Sequence, residues 1–253
     1  VYTPVLSPSG GFKSDLTVMR LAHDHFRVVT GGAHGMADKQ WFSSHLPEDG
    51  SAQITDLTSS LTTLGLWGPK AREILSSVTR GDVSNEGFRF GTCRTIEIGP
   101  LKVLASRISY VGDLGWELYV PMEQGAALWD VLWEAGQAHG IVPVGIGVYG
   151  TTGRLEKGYR AYGAELESEY TVVEAGMAHD LEDAGVQSRQ PRDDAMVGLA
   201  LLALDHRLQR RVFDVGHAAQ VDHQHAWLVL LDQRVDLAHY VLRVGEIEPS
   251  FRP

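Results

Sequence analysis

The first 120 residues consist of short β-rich runs separated by clusters of Gly and Pro, a pattern that indicates strands with interspersed helices. The runs predicted as strands are residues 1–6, 12–21, 25–31, 94–98, 102–110 and 116–120, with two further short strands within 52–68. Segments 33–46 and 68–78 are predicted as helices. The turn residues of 7–11 predict a hairpin between the first two strands. The pattern is typical of an α+β fold.

Helical spacing of apolar residues begins after these strands. Leu128, Val131, Leu132 and Ala135 share one face of segment 122–139, which predicts an amphipathic helix. Trp129 and Trp133 are expected to bracket that face in the core. Residues 144–166 predict a second helix, although glycines make this segment a poor helix former.

Composition places bounds on function. The chain has 253 residues, 43% hydrophobic content and a formal net charge of −10, which is typical of a globular protein and argues against broad binding to nucleic acids or anionic membranes. The chain has one cysteine, Cys93, so no internal disulfide can form. We therefore expect a reducing compartment such as the cytoplasm, or the mitochondrial matrix in a eukaryote. Because Val1 lies in a predicted strand, the chain is expected to be truncated at its N-terminus.

The composition changes near residue 178. Residues 178–253 hold no lysine but six of the 11 histidines. We therefore predict a first domain over 1–177 and an atypical tail over 178–253, which is either a diverged domain or a frame-shifted translation; the second is favoured. His223 and His225 in this tail form a His-x-His pattern, but without a nearby set of cysteines or carboxylates no metal site is predicted.

Two clusters combine an acid with a tyrosine. The predicted hairpin brings Tyr2 and Asp15 close together on neighbouring strands, where a carboxylate beside a phenol suits a neutral, nitrogen-rich ligand. In the stretch SYVGDLGWELYVP, Tyr110 precedes a Gly-rich turn and Glu117 follows it. Glu117 is expected on the strand face opposite to Trp116. From the residues alone, solvent-exposed acids on two hairpins remain the alternative interpretation for both clusters.

A third cluster is the charged segment GRLEKGYRAYGAEL, residues 153–166. Its charges fall at helical spacing, so an exposed helix with ion pairs is the alternative to a binding role. No Gly-rich phosphate loop follows a predicted strand, and GIGVYG lacks the spacing of a dinucleotide fingerprint. The three clusters therefore remain the candidate functional sites of the chain.

Taken in order, the three clusters resemble the folate-binding aminomethyltransferase family, which includes the glycine cleavage T-protein. The stretch GGFKSDLTV, with GWELYVP and RLEKGYRAYGAEL, is most similar to the C-terminal part of dimethylglycine and sarcosine dehydrogenases or oxidases. The resemblance covers about residues 1–177. It implies an α+β fold, namely a folate-binding aminomethyltransferase-like domain followed by the atypical tail.

The resemblance also implies roles for single residues. Asp15 is expected to be the catalytic carboxylate of the folate pocket, close to the pterin and its bridging nitrogen. Tyr2 and Tyr110 are expected to line the pocket, and Glu117 is expected to hydrogen-bond the pterin ring. A carboxylate suits the two adjacent N–H donors of that ring. Arg154 is expected to be a further folate contact.

The implied reaction is the capture of a one-carbon unit by tetrahydrofolate, giving 5,10-methylenetetrahydrofolate. The carbon comes from N-demethylation of a dimethylglycine- or sarcosine-type amine, so an upstream FAD-dependent amine oxidase domain is the expected partner. Two alternatives remain open: a glycine cleavage T-protein, which needs a lipoylated carrier, and a non-catalytic folate-binding or scaffold domain.

The chain departs from the family pattern at three places, of which Tyr162, where the relatives usually have Trp, is a mild change. The T-protein has an arginine in an ARD stretch before RLEAG, whereas this chain has YGTTG there, so the benzoyl-glutamate tail of folate is expected to lose a partner. After Met177 the family continues with a lysine-rich link and a small β-barrel. Neither pattern is visible in 178–253.

Overall fold

The computed structural model describes residues 1–177 and the backbone of residues 227–231 and 237–244. In this part of the chain, eleven strands form two sheets. The strands are β1 (Tyr2–Leu6), β2 (Phe12–Ala22), β3 (His25–Gly31), β4 (Ala52–Asp56), β5 (Leu61–Trp67), β6 (Cys93–Ile98), β7 (Leu101–Ser106), β8 (Gly115–Pro121), β9 (Val142–Val144), β10 (Trp227–Leu231) and β11 (Leu237–Val244).

Helical segments connect these strands. They comprise α1 (Gly35–Ser43), α2 (Ala71–Val78), α3 (Gly125–Gly136), a π-helical turn (Val148–Gly153) that runs into the short α4 (Arg154–Glu156), and 3₁₀ turns at Gly32–His34, Thr58–Ser60, Met122–Gln124 and Gln137–His139. The helices predicted within 33–46, 68–78 and 122–139 are confirmed, as is the α+β class. No helix among the described residues has the length and apolar character to cross a membrane.

The first sheet has the strand order β1-β2-β3-β11-β4. Its first two strands form the predicted hairpin, in which Tyr2 pairs with Thr17 and Pro4 pairs with Asp15. Gly10 takes a φ of 87° in the turn, a conformation that favours glycine because it has no Cβ. The hairpin therefore fixes which side chains of β1 and β2 are neighbours.

The second sheet has the order β6-β7-β8-β5-β10-β9. Helices α2 and α3 cover one of its faces, and together they bury the main apolar core. This core includes Leu64, Leu66, Ile74, Leu75, Trp116, Leu118, Leu128 and Leu132. The stacked rings of Trp129 and Trp133, with centroids 6.0 Å apart, pack against its edge as expected.

A smaller apolar cluster joins the two sheets. Met19 and Val29 from the first sheet pack with Trp67 and Tyr119 from the second. The side chains of β8 alternate, so Trp116 and Leu118 enter the main core while Tyr119 enters this second cluster. The opposite face of β8 is thus turned toward the first sheet, and the candidate site lies there.

The prediction of one helix over 144–166 is wrong. Only the π-helical turn and α4 are helical, and the chain then takes an irregular path. Gly158 and Gly163 adopt φ values of 72° and 86°, which a right-handed helix does not allow. The low helix propensity of this glycine-rich segment therefore decides its structure.

Two strands belong to the segment predicted as an atypical tail. β10 lies between β5 and β9, and β11 lies between β3 and β4, so both occupy interior positions of their sheets. The proposed boundary near residue 178, and the choice between a diverged and a frame-shifted tail, stay predictions.

Candidate functional site

The first part of the site is a hydrogen-bonded pair on the hairpin. The Tyr2 hydroxyl donates to Oδ2 of Asp15 at 2.9 Å. Burial raises the pKa of Asp15 above its ordinary value, and the hydrogen bond from Tyr2 opposes this effect. Asp15 is therefore a better proton acceptor than a solvent-exposed aspartate.

The second part of the site is a buried carboxyl group on β8. Glu117 is only 5% exposed, and it accepts hydrogen bonds from the hydroxyls of Tyr119 and Tyr149, the latter at 3.5 Å. Burial raises the pKa of Glu117 to about 7, and the two hydrogen bonds oppose this effect only in part. Near neutral pH this group can thus exist as an acid or as a carboxylate.

Aromatic rings surround this carboxyl group. Tyr149 stacks on Trp67 with centroids 5.3 Å apart, and its ring also lies 5.1 Å from that of Tyr110. Tyr110 in turn stacks on Tyr159 at 6.3 Å and donates its hydroxyl to the carbonyl of Arg160 at 3.0 Å. The rings give the site flat apolar walls with a few polar groups, the usual composition of a small-molecule pocket.

Electrostatic interactions link the two parts. Burial is the main cause of the raised pKa of Tyr149, and the charges of Glu117 and Asp15 raise it further. Asp15 likewise raises the pKa of both Tyr2 and Tyr110, after burial. Four of the predicted site residues, Tyr2, Asp15, Tyr110 and Glu117, therefore share one neighbourhood between the sheets.

Arg154 occupies a different kind of position. Its buried guanidinium forms a two-pronged ion pair with Glu165 at 2.8 and 3.2 Å. It also donates to the carbonyls of Gly150 and Tyr159 at 2.6 and 2.9 Å. These bonds tie the π-helical turn to the irregular segment that follows. A direct contact between Arg154 and folate stays a prediction.

Sequence reasoning missed two tyrosines of the site. Tyr119 follows Glu117 by two positions on a strand, so the period of two would have placed both on the same face. Tyr149 lies in the segment wrongly predicted as a helix, and no local signal brings it to Glu117. That contact depends on the π-helical turn, which local propensity does not predict.

The site fits a flat, nitrogen-rich ring. Glu117 supplies an acceptor for N–H donors, and its Oε1 accepts a long hydrogen bond of 3.5 Å from the Tyr149 hydroxyl. Tyr110 and Tyr149 offer ring faces beside that oxygen. The pterin ring of folate has this chemistry, whereas the guanidinium of Arg154 is already paired with Glu165 and hydrogen-bonded to the carbonyl of Gly150.

No group of three or more His, Cys, Asp or Glu side chains in the described ranges is arranged to hold a metal ion. His223 and His225, the weak metal candidates of the sequence, lie outside the described residues.

Comparison with known proteins adds an independent line of evidence. The model of the GCVT N-terminal domain matches residues 1–181. Human mitochondrial dimethylglycine dehydrogenase is 35% identical over 177 residues, which is 69% of this chain and 20% of that protein. An aminomethyltransferase of Chlorobaculum tepidum is 34% identical over 174 residues, 69% of this chain and 47% of the relative. Mouse mitochondrial sarcosine dehydrogenase is 35% identical over 196 residues, which is 70% of this chain and 21% of that protein.

The resemblance read from the three motifs is confirmed by these matches. The chain spans about half the length of the aminomethyltransferases and about a fifth of the length of the dehydrogenases that it matches.

Proposed function

Because the chain belongs to the GCVT N-terminal domain family, we propose that it binds tetrahydrofolate and captures a one-carbon unit released from a dimethylglycine- or sarcosine-type amine. The observation that carries this proposal is the buried Glu117, which accepts a hydrogen bond from Tyr149, a residue whose pKa is raised by burial and by both Glu117 and Asp15. An acid in an aromatic pocket is costly unless it serves a ligand or a network.

In this proposal some residues of the chain recognise the pterin ring, and others act on the proton and the positive charge that develops during the reaction. Glu117 accepts hydrogen bonds from the N–H donors of the pterin ring, and the rings of Tyr110 and Tyr149 exclude water around the Glu117 carboxylate. Asp15, held by Tyr2, faces the bridging nitrogen, where it accepts a proton or stabilises developing positive charge. Tetrahydrofolate, when bound, supplies the two nitrogens that take up the carbon as 5,10-methylenetetrahydrofolate.

We place this domain in a dimethylglycine- or sarcosine-type oxidoreductase. The hairpin sequence GGFKSD supports this choice, because the T-protein has paired acids at that place. The proposal includes an upstream FAD-dependent amine oxidase domain as the source of the one-carbon unit. It also places the protein in the cytoplasm, or in the mitochondrial matrix if the source is a eukaryote.

A glycine cleavage T-protein is the second candidate. The observation in its favour is that aminomethyltransferases match at 34% to 36% identity, as closely as the dehydrogenases do. A T-protein would take its one-carbon unit from an aminomethyl group on a lipoylated carrier protein. Retention of such a carrier in a pull-down would favour this candidate over the oxidoreductase.

The test of the leading proposal is trapping of formaldehyde by tetrahydrofolate at saturating folate, with the uncatalysed condensation subtracted. The chain is expected to accelerate formation of 5,10-methylenetetrahydrofolate. Asp15→Asn should reduce turnover by roughly 10²–10³-fold, because it removes the proton acceptor and the charge but keeps the shape. Its affinity for folinic acid, measured by calorimetry, should change much less.

Three outcomes would contradict parts of the proposal. Absence of heat with folinic acid at high protein concentration would contradict folate binding. Binding without acceleration would favour the non-catalytic folate-holding alternative. Turnover of the Asp15→Asn variant within about threefold of the parent would remove Asp15 from the chemistry.

A further inference from the structure

A second buried acid lies beneath the hairpin strand that carries Asp15. Asp38 belongs to α1 and is 4% exposed. The hydroxyls of Ser14 and Thr30 both donate to its Oδ2, the first at 2.9 Å. The two hydroxyl oxygens are themselves 3.5 Å apart. One carboxylate oxygen therefore joins three elements, namely β2, β3 and α1.

This junction lies next to Asp15, the candidate catalytic carboxylate. Ser14 directly precedes Asp15, so the hydrogen bond to Asp38 holds the backbone from which Asp15 projects. The hairpin partner β1 holds the Asp15 side chain from the other side, through Tyr2. Asp15 is thus fixed both at its backbone and at its carboxyl group.

The charge of Asp38 also reaches the pocket. Among the described residues it interacts with the ionisable groups of Asp15, His34 and Tyr162, and the His34 ring packs edge-on against Tyr162 at 4.9 Å. Burial is the largest cause of the raised pKa of Asp15; His34 lowers this pKa, and Asp38 raises it. A neutral group in place of Asp38 would remove the like charge and lower the pKa of Asp15.

We propose that Asp38 is a positioning residue, which holds the Asp15 backbone through its hydrogen bond with Ser14. The expected effect on turnover rests on the proposed function, whereas the electrostatic coupling between Asp38 and Asp15 is independent of it. Asp38 itself does not touch the candidate folate pocket through any hydrogen bond of the described residues; its contacts are Ser14 and Thr30.

Two variants separate the geometric effect from the effect of charge. Asp38→Asn keeps an oxygen that can accept both hydroxyls, so turnover at its pH optimum should stay within about threefold of the parent. Because the like charge is gone, the acid limb of the pH–rate profile should move to lower pH. Asp38→Ala removes the acceptor, so turnover should fall by about 10- to 100-fold while folinic acid affinity falls less.

The matched control removes the ion-pair partner of the neighbouring helix residue, Lys39. Lys39 binds Asp56 on β4 at 3.2 Å, a partly exposed ion pair that anchors the same helix without touching Ser14. Asp56→Asn should therefore leave both turnover and the pH profile unchanged. If Asp38→Ala does not fold, Ser14→Ala removes the same link to β2 and should lower turnover in the same direction.

A further readout is independent of activity. Carboxyl NMR of Asp15 in the full chain should report a lower pKa in Asp38→Asn than in the parent. An unchanged Asp15 titration would overturn the coupling. Equal turnover in the parent and in both Asp38→Ala and Ser14→Ala, at preserved fold, would overturn the positioning role. Failure of the parent itself to trap formaldehyde would instead contradict the proposed function, with the NMR result still deciding the coupling.

Discussion

At the scale of single residues, Glu117 ties ligand recognition to stability. Its pKa is about 7 in the folded chain, above the value of 4.5 for an unperturbed glutamate, and burial is the main cause. The folded state therefore holds a proton that the unfolded state releases at lower pH. The contribution of Glu117 protonation to the free energy of unfolding is therefore fully present below pH 4.5 and is lost as pH rises through about 7.

We predict that Glu117→Gln stabilises the chain at pH 8 by about 1–3 kcal/mol, because the amide is never ionised in its buried site. The same substitution should weaken binding of folinic acid by about 1.5–3 kcal/mol, since one acceptor becomes a donor. Urea unfolding at pH 8 and at pH 4.5, with calorimetry of binding, measures both effects. The stabilisation should vanish at pH 4.5.

The matched control is Glu97→Gln on β6, where the side chain is exposed. It should change neither stability nor affinity. Destabilisation of Glu117→Gln at pH 8 would mean that its bonds with Tyr119 and Tyr149 outweigh the cost of burying the charge. An unchanged dissociation constant would return Glu117 to a structural role.

At the scale of elements, the segment from the π-helical turn to Leu166 decides the shape of the pocket. It carries Tyr149 and Tyr159, and Arg154 ties its two ends together through Gly150 and Glu165. π-Helical turns occur frequently at functional sites. The geometry therefore favours Arg154 as a residue that positions the tyrosines, beside the predicted direct contact with folate.

A double-mutant cycle distinguishes these two roles. If Arg154 positions the segment, Arg154→Met and Glu165→Gln should both weaken folinic acid binding, and their combination should cost little more than Arg154→Met alone. If Arg154 contacts folate, Glu165→Gln should leave affinity largely intact. Arg154→Lys serves as the charge-preserving control, because lysine cannot form the two-pronged pair with Glu165.

The pairing of the strands shows which parts of the fold can be predicted from local sequence. The hairpin of β1 and β2 was predictable because its turn residues and strand residues agree. The partnership of β3 with β11, and of β5 with β10, joins residues far apart in the chain, so no local pattern indicates it. The same limit applies to the site: Tyr2 and Asp15 meet through a local hairpin, whereas Glu117 meets Tyr149 only in the folded chain.

At the scale of the whole molecule, both sheets are completed by strands from the C-terminal part of the chain. β11 pairs with β3 along seven residues and with β4 along five. β10 pairs with β5 along five residues and with β9 along three. The strands that flank these positions carry or adjoin the site, since Trp67 ends β5 and Thr30 lies in β3.

Deletion of residues 178–253 is therefore expected to destabilise the remaining chain. It leaves the inward edges of β3, β4, β5 and β9 without their ladder partners, and each hydrogen bond lost from a sheet costs about 0.5–1.5 kcal/mol. A loss of several kcal/mol corresponds to a fall of about 10 °C or more in the melting temperature. Thermal unfolding of the full chain and of the truncated chain, followed by circular dichroism, measures this difference.

The two hypotheses for the tail give opposite results in this experiment. A diverged domain that contributes interior strands requires a lower melting temperature and weaker folinic acid binding after truncation, because the sheets that hold Asp15 and Glu117 lose their neighbours. A frame-shifted tail, with no selected fold, predicts that truncation changes neither quantity. A scrambled tail of the same length and composition is the matched control: it should behave like the deletion if the sequences of β10 and β11 matter, and like the full chain if they do not.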